Sequence, residues 1–224
     1  MRAAEISDRI ESWVRGAIAS CELLPGAPLR QDRIAARFGT SKLPVREALR
    51  RLEALDYVEF HPRRGFMVKR FSRQEIIELF EICALFEGQA VQTGASRLSP
   101  SDLRRLDECV ERLSTSPSLL ERLKADSEFH LGLVAGSRNA TIRSKLEDFH
   151  AYFRMYYRAT GAAAPAGESE TYRLIVSDLR DGNIVAASAR LQVYLFEQGR
   201  RLSELGADPP QAVASPLRPA SSDG

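Results

Sequence analysis

Residues 25–70 read PGAPLRQDRIAARFGTSKLPVREALRRLEALDYVEFHPRRGFMVKR. Asp32–Phe38 supplies a short helix with Ile34, Ala35 and Phe38 turned inward, Gly39 a tight turn, and Ser41 an N-cap for a second helix over residues 42–55. That second helix packs through Val45, Ala48, Leu49, Leu52 and Leu55, and its opposite stripe presents Lys42, Arg46 and Arg50. Tyr57, Val58 and Phe60 suggest one strand, and Phe66, Met67 and Val68 another, with Arg63, Arg64 and Gly65 at the turn between them. This order predicts a winged helix-turn-helix, in which a basic helix enters the major groove and wing arginines reach the minor groove or the phosphates. The expected DNA-binding residues are Lys42, Arg46, Arg50, Arg63, Arg64 and Gly65, with Arg46 and Arg50 foremost in base readout. Glu47 and Glu53 dilute the basic face, and Glu47 is expected to orient Arg46 or Arg50. Alone, the helix reads equally as a solvated surface helix; helix and wing together favour duplex DNA.

Outside that stretch, Ile6, Ile10, Trp13, Val14, Ala17 and Ile18 recur at helical spacing and predict an amphipathic helix over residues 5–20. The 44% hydrophobic content of the 224 residues suffices for real cores. Net charge is only +2, yet residues 1–70 hold 14 Lys or Arg against 9 Asp or Glu, whereas residues 71–224 hold 18 against 21. A polyanion-binding module concentrates its positive charge in this way. Cys21, Cys83 and Cys109 are odd in number and widely spaced, which suggests a reducing compartment. No apolar run approaches a membrane span, and acidic residues interrupt the opening where a signal peptide needs an apolar core. The expected location is cytoplasmic.

Residues 71–206 read as nearly continuous amphipathic helices, broken near Ser99 and Pro100, at Ser116 and Pro117, near Ser137, at 161–167, and at Asp181 to Asn183. The expected fold class is therefore mostly α, an N-terminal winged helix-turn-helix (1–70) followed by an all-helical bundle of six or seven helices (71–206). Residues 207–224, rich in Pro, Ala and Ser, are expected to be a mobile tail. Asp126 and His130, four apart on one helix, can share a metal ion or form a hydrogen-bonded pair. Phe149, Tyr152, Phe153, Tyr156 and Tyr157 lie on one helix and read as core, or as a cavity wall offering hydroxyls.

The segments LLPGAPL, IAARFGTSKLPVREALRRLEALDYV and HPRRGFMV closely resemble the GntR family of bacterial transcription regulators across almost the whole N-terminal domain. In that family the recognition helix opens with Ser-Arg-Thr-Pro; here stand Ser41, Lys42, Leu43 and Pro44, so the bidentate fork of arginine is lost at Lys42. A glycine is usual where Asp56 stands. The helical part resembles the fatty-acid-regulator-like branch, which implies an effector-binding and dimerisation domain. That resemblance implies effector or metal contacts from Asp126, His130 and Asn139, and it sets Tyr172 and Tyr194 where metal-binding relatives have histidines. A phenol, with a pKa of about 10, is a poor ligand for zinc or nickel at neutral pH. No cofactor is therefore expected to be required, and a divalent transition metal is disfavoured. Cys83 occupies the place of an arginine suited to an effector carboxylate, so the effector need not be a carboxylic acid. Cys83 reads otherwise as a small apolar filler of the core, with oxidation sensing the lesser alternative.

These observations point to a dimeric DNA-binding regulator, most simply a repressor of a two-fold operator, modulated by a small molecule. The alternatives are a DNA-binding regulator with a vestigial effector site, a metal-dependent enzyme built on Asp126 and His130, and a structural helical dimer. No third ligand, nucleophilic triad or glycine-rich phosphate loop supports the enzyme.

Overall fold

The structure, a computed structural model, describes residues 3–160 and 169–205 and separates into two compact units that meet in sequence between Arg70 and Phe71. The expected break at 161–167 and the tail at 207–224 lie outside the described residues.

In the first unit, α1 (Ala3–Ala19) buries Ile10, Val14, Ala17 and Ile18. These follow the helical spacing and face α3 (Lys42–Ala54), which buries Val45, Ala48, Leu49 and Leu52. Leu55, expected in that packed face, is instead half exposed at the C-cap. Between them α2 (Gln31–Phe38) ends on Gly39 at φ 59°, where the Thr40 N–H reaches the Ala35 carbonyl at 2.9 Å. Only a left-handed residue lets the chain reverse in so short a turn, and glycine adopts it without a Cβ penalty.

Strands β1 (Val58–His61) and β2 (Gly65–Val68) pair antiparallel with Val58 opposite Val68 and Phe60 opposite Phe66. A third edge was not evident in the sequence: Leu29 N–H donates to the Phe66 carbonyl and Gly26 N–H to Val68, both at 2.8 Å, so PGAPL backs the wing as a short strand-like segment.

Asp56 stands at φ 61° after α3, with its N–H on Glu53 and the Tyr57 N–H on Leu52. Its carboxylate lies 2.8 Å from Lys69 Nζ. The position demands a left-handed backbone that aspartate tolerates better than alanine. Asp56→Ala is expected to cost about 1 kcal/mol, while Asp56→Gly holds or slightly raises stability. Thermal unfolding of both variants checks this, and equal melting temperatures would remove the backbone explanation.

The second unit holds six helices among the described residues: α4 (Arg73–Gly94), α5 (Pro100–Thr115), α6 (Leu119–Leu133), α7 (Ala140–Thr160), α8 (Ser169–Arg180) and α9 (Ile184–Leu205). Their starts are written locally. Ser72 with Glu75 and Ser99 with Asp102 form capping boxes, Pro100 opens α5, and Ser118 caps α6. Helices α4 and α9 run antiparallel, with Gly88 against Gln192, Phe80 against Gly199, and Gln92 Nε2 donating to Ser188 Oγ at 3.1 Å. Tyr152, Phe153, Tyr156 and Tyr157 are buried, so the aromatic helix α7 is core, and Phe153 stacks on Phe80 at 3.9 Å. Among the described residues, no helix is long and apolar enough to cross a membrane.

Candidate functional site

Helix α3 carries its packed and exposed stripes as the spacing requires. Arg46 is exposed, Lys42 pairs with Asp32 at the start of α2, and Leu43 beside it is 65% exposed. Ser41 occupies the N-cap position, but its hydroxyl makes no cap bond. The third residue of α3 is Pro44, which has no N–H for such a bond.

Glu47 does not orient an arginine; it lies 3.3 Å from Ser7 Oγ. Arg50 is held by Glu53 at 2.6 Å, and its guanidinium lies 5.0 Å from the Phe60 ring centroid and 5.3 Å from that of Phe66. Arg50 therefore braces the wing against α3. Arg50→Ala is expected to lower stability by about 1 kcal/mol through loss of the ring contacts, and Arg50→Lys to restore little of it. Thermal unfolding checks this; a wild-type melting temperature for Arg50→Ala would contradict the bracing role.

At the wing tip Arg63 and Arg64 are exposed, and Arg63 adopts φ 70° next to Gly65 at φ 81°. A Cβ on Gly65 would meet nothing within 4 Å, so the glycine serves the backbone turn rather than a crowded neighbour.

In the helical unit, one buried polar cluster gathers residues from five helices. Tyr172 of α8 is fully buried and stacks on Phe129 of α6 at 4.2 Å. Its hydroxyl lies 2.6 Å from Asp126 Oδ1, 2.8 Å from His130 Nε2 and 2.8 Å from the Tyr194 hydroxyl of α9. His130 Nδ1 lies 2.6 Å from Glu87 Oε2 of α4. The other oxygen of Glu87 lies 3.0 Å from His150 Nε2 of α7 and 3.0 Å from Cys83 Sγ.

A phenol has one proton to donate. With it on Asp126, Tyr194 donates to Tyr172, and the His130 ring lies between the Tyr172 hydroxyl and Glu87. Burial pushes the Glu87 carboxyl up, but the charge and hydrogen bond of His130, joined by those of His150, hold it well below the usual carboxylate range. Burial lowers the His150 imidazole, partly offset by Glu87. Burial and then the Asp126 carboxylate push the Tyr172 phenol far up, and burial and then Glu87 do the same to the Cys83 thiol.

The structure brings Asp126, His130, Tyr172 and Tyr194 together. It does not bring Asn139 there; that side chain is exposed and caps α7, with Oδ1 accepting from Ile142 N–H at 3.0 Å. The expectation about metal needs correction. It rested on Tyr172 and Tyr194 replacing histidines, but the capacity for a metal does not turn on those positions: Cys83, Glu87 and His150 present a thiol, a carboxylate and an imidazole whose ligand atoms lie within 4.8 Å of one another. Asp126 and His130 stand 3.9 Å apart, and the Tyr172 hydroxyl contacts both. Glu87 and His150 were missed in the sequence. The signal was present, since Leu146, His150, Phe153 and Tyr157 form the buried stripe of α7 and place a histidine on its core face.

A basic recognition helix and an arginine-tipped wing, joined in sequence to a helical unit with a buried polar centre, define a DNA-binding regulator rather than an enzyme. Residues 6–68 match the model of bacterial regulatory proteins of the gntR family, and residues 78–196 match the FCD domain. The chain belongs to the gntR family of regulators that carry an FCD domain. It is similar to the probable D-xylose utilization operon transcriptional repressor of Paenarthrobacter nicotinovorans, 28% identical over 139 residues, covering 61% of this chain and 62% of that relative. The chain thus spans less than two thirds of that relative's length. The HTH-type transcriptional regulator McbR of Escherichia coli (strain K12) is 25% identical over 189 residues, covering 80% and 85%. The solved structure of E. coli McbR/YncC matches with a TM-score of 0.74 at 22% identity, covering 91% of this chain and 99% of that one, a likeness of fold.

Proposed function

We propose that this regulator is a repressor that binds a two-fold operator as a homodimer and that its helical unit takes a small effector. The observation that carries the reading is the exposure of Lys42, Arg46, Arg63 and Arg64 on α3 and the wing, the elements that reach grooves and phosphates in this architecture. Gly65 allows the wing backbone to approach the duplex closely, and Arg50 holds the wing in place from behind. This work belongs in the cytoplasm, with the DNA.

Pairing of two copies is supported by exposed apolar side chains on the antiparallel helices α4 and α9. Ile82 and Leu85 of α4 lie at heights matching Phe196 and Val193 of α9, and all four are exposed by 38–59%. Such a stripe on a folded unit favours burial against a second copy.

The effector reading rests on Asp126, His130, Tyr172 and Tyr194, whose hydroxyl, imidazole and carboxylate groups suit a polar molecule. A groove of about 430 Å³ reaches Tyr194 between Thr171, Arg190 and Glu197. An effector that binds one head arrangement better than the other shifts DNA affinity by that difference alone. A vestigial site is the second reading, favoured by the way these side chains already satisfy one another.

Selection of duplexes from a random library tests the proposal. Enrichment of two inverted half-sites is expected. No enriched sequence, or a single asymmetric site bound by one copy, would contradict it.

A further inference from the structure

We infer that Cys83, Glu87 and His150 form a binding site for a zinc-class divalent cation, distinct from the Asp126 and His130 pair. Cys83 and Glu87 are four apart and face the core from one side of α4, and His150 projects from α7. All three are at most 1% exposed. Glu87 Oε1 lies 3.0 Å from Cys83 Sγ and 3.0 Å from His150 Nε2. A tetrahedral zinc ion with bonds of about 2.0–2.3 Å holds such donors roughly 3.3–3.6 Å apart, and all three ligand atoms lie within 4.8 Å of one another, so side-chain shifts on the order of 1 Å bring them to one ion. Sulfur, nitrogen and carboxylate oxygen together suit zinc or cobalt and not magnesium or calcium.

The protons allow the exchange. In the metal-free cluster one carboxylate oxygen receives both the Cys83 S–H and the His150 Nε2–H, two positive hydrogen ends that a cation replaces. His150 Nδ1 is buried and has no hydrogen-bond partner. Moving the ring proton from Nε2 to Nδ1 therefore opens the Nε2 lone pair without breaking a bond on the other side of the ring. The Cys83 thiol gives its proton to solvent as the sulfur–metal bond forms, so one proton leaves for each ion bound. His130, on the second oxygen of Glu87 at 2.6 Å, fixes the carboxylate plane, the supporting role that outer partners play at metal sites.

Bound there, the ion would tie α4 to α7 and, through Glu87, to α6. The capture stands on these side chains alone and does not depend on the effector or operator reading.

Cobalt titration of the full chain, stripped with a chelator, tests the site. A near-ultraviolet thiolate-to-cobalt band is expected, abolished by zinc, with about one proton released per ion by calorimetry in buffers of different ionisation enthalpy. Cys83→Ser should remove that band. His150→Gln should keep thiolate ligation but weaken binding more than about 10-fold, and Asp126→Asn, which removes none of the three donors, should keep the band. The far-ultraviolet helical signal of each variant confirms folding. Absence of the band in the wild-type chain, its persistence in Cys83→Ser, or its loss in folded Asp126→Asn alone would overturn the assignment.

Discussion

Glu87→Ala is expected to destabilise the metal-free helical unit by about 3–5 kcal/mol, the largest effect of any single substitution considered for this chain. The carboxylate is completely buried and holds His130 and His150 through different oxygens while accepting from the Cys83 thiol. Its removal strands two imidazoles and a thiol in the core and opens a cavity between α4 and α7. For a unit of this size the loss corresponds to a fall in melting temperature on the order of 10 °C. Glu87→Gln keeps the volume and one acceptor and should fall between the two. Calorimetric unfolding in chelator settles the matter, and a shift of only a degree or two for Glu87→Ala would show that the cluster contributes little.

Arg46→Ala is expected to cut discrimination between operator and random duplex by about 1–3 kcal/mol, or roughly 5- to 150-fold. Arg46 is exposed on the basic stripe of α3, whereas Arg50 is engaged by Glu53 and two wing aromatics and Lys42 by Asp32. Of the two arginines first set down for base readout, Arg46 is thus the better placed. Mobility-shift titrations on the selected operator and on random duplex measure the difference. Equal losses on both would make Arg46 a phosphate contact.

The winged unit was legible because its signals are local. Gly39 marks a left-handed turn, the four-residue recurrence of basic side chains marks an exposed face, and Arg63, Arg64 and Gly65 mark a wing tip. What escaped depends on distant partners. The strand-like PGAPL segment exists only because Phe66 and Val68 offer carbonyls to it, and Arg50 lies over the wing because Phe60 and Phe66 are there to receive it.

The helical unit followed the same division. Its breaks at Ser99, Ser116 and Asp181 to Asn183 were written in caps and prolines, whereas its polar centre was only half visible. Asp126 and His130 were marked by their four-residue spacing, and Tyr172 and Tyr194 were found through resemblance. Glu87 is one of four glutamates in α4 and looks like ordinary helix composition until the helices pack, whereas His150 was marked only by its place on the apolar stripe of α7.

The most direct measurement is the salt dependence of binding to the selected operator. If Lys42, Arg46, Arg63 and Arg64 of two copies meet phosphates and bases, log K should fall linearly with log salt, with a slope of several units at about 0.9 per phosphate. Arg63→Ala, which removes a cation from each of the two wing tips, should reduce that slope by about 2. Binding insensitive to salt, or absent at every salt concentration, would contradict the assignment of this surface to duplex DNA.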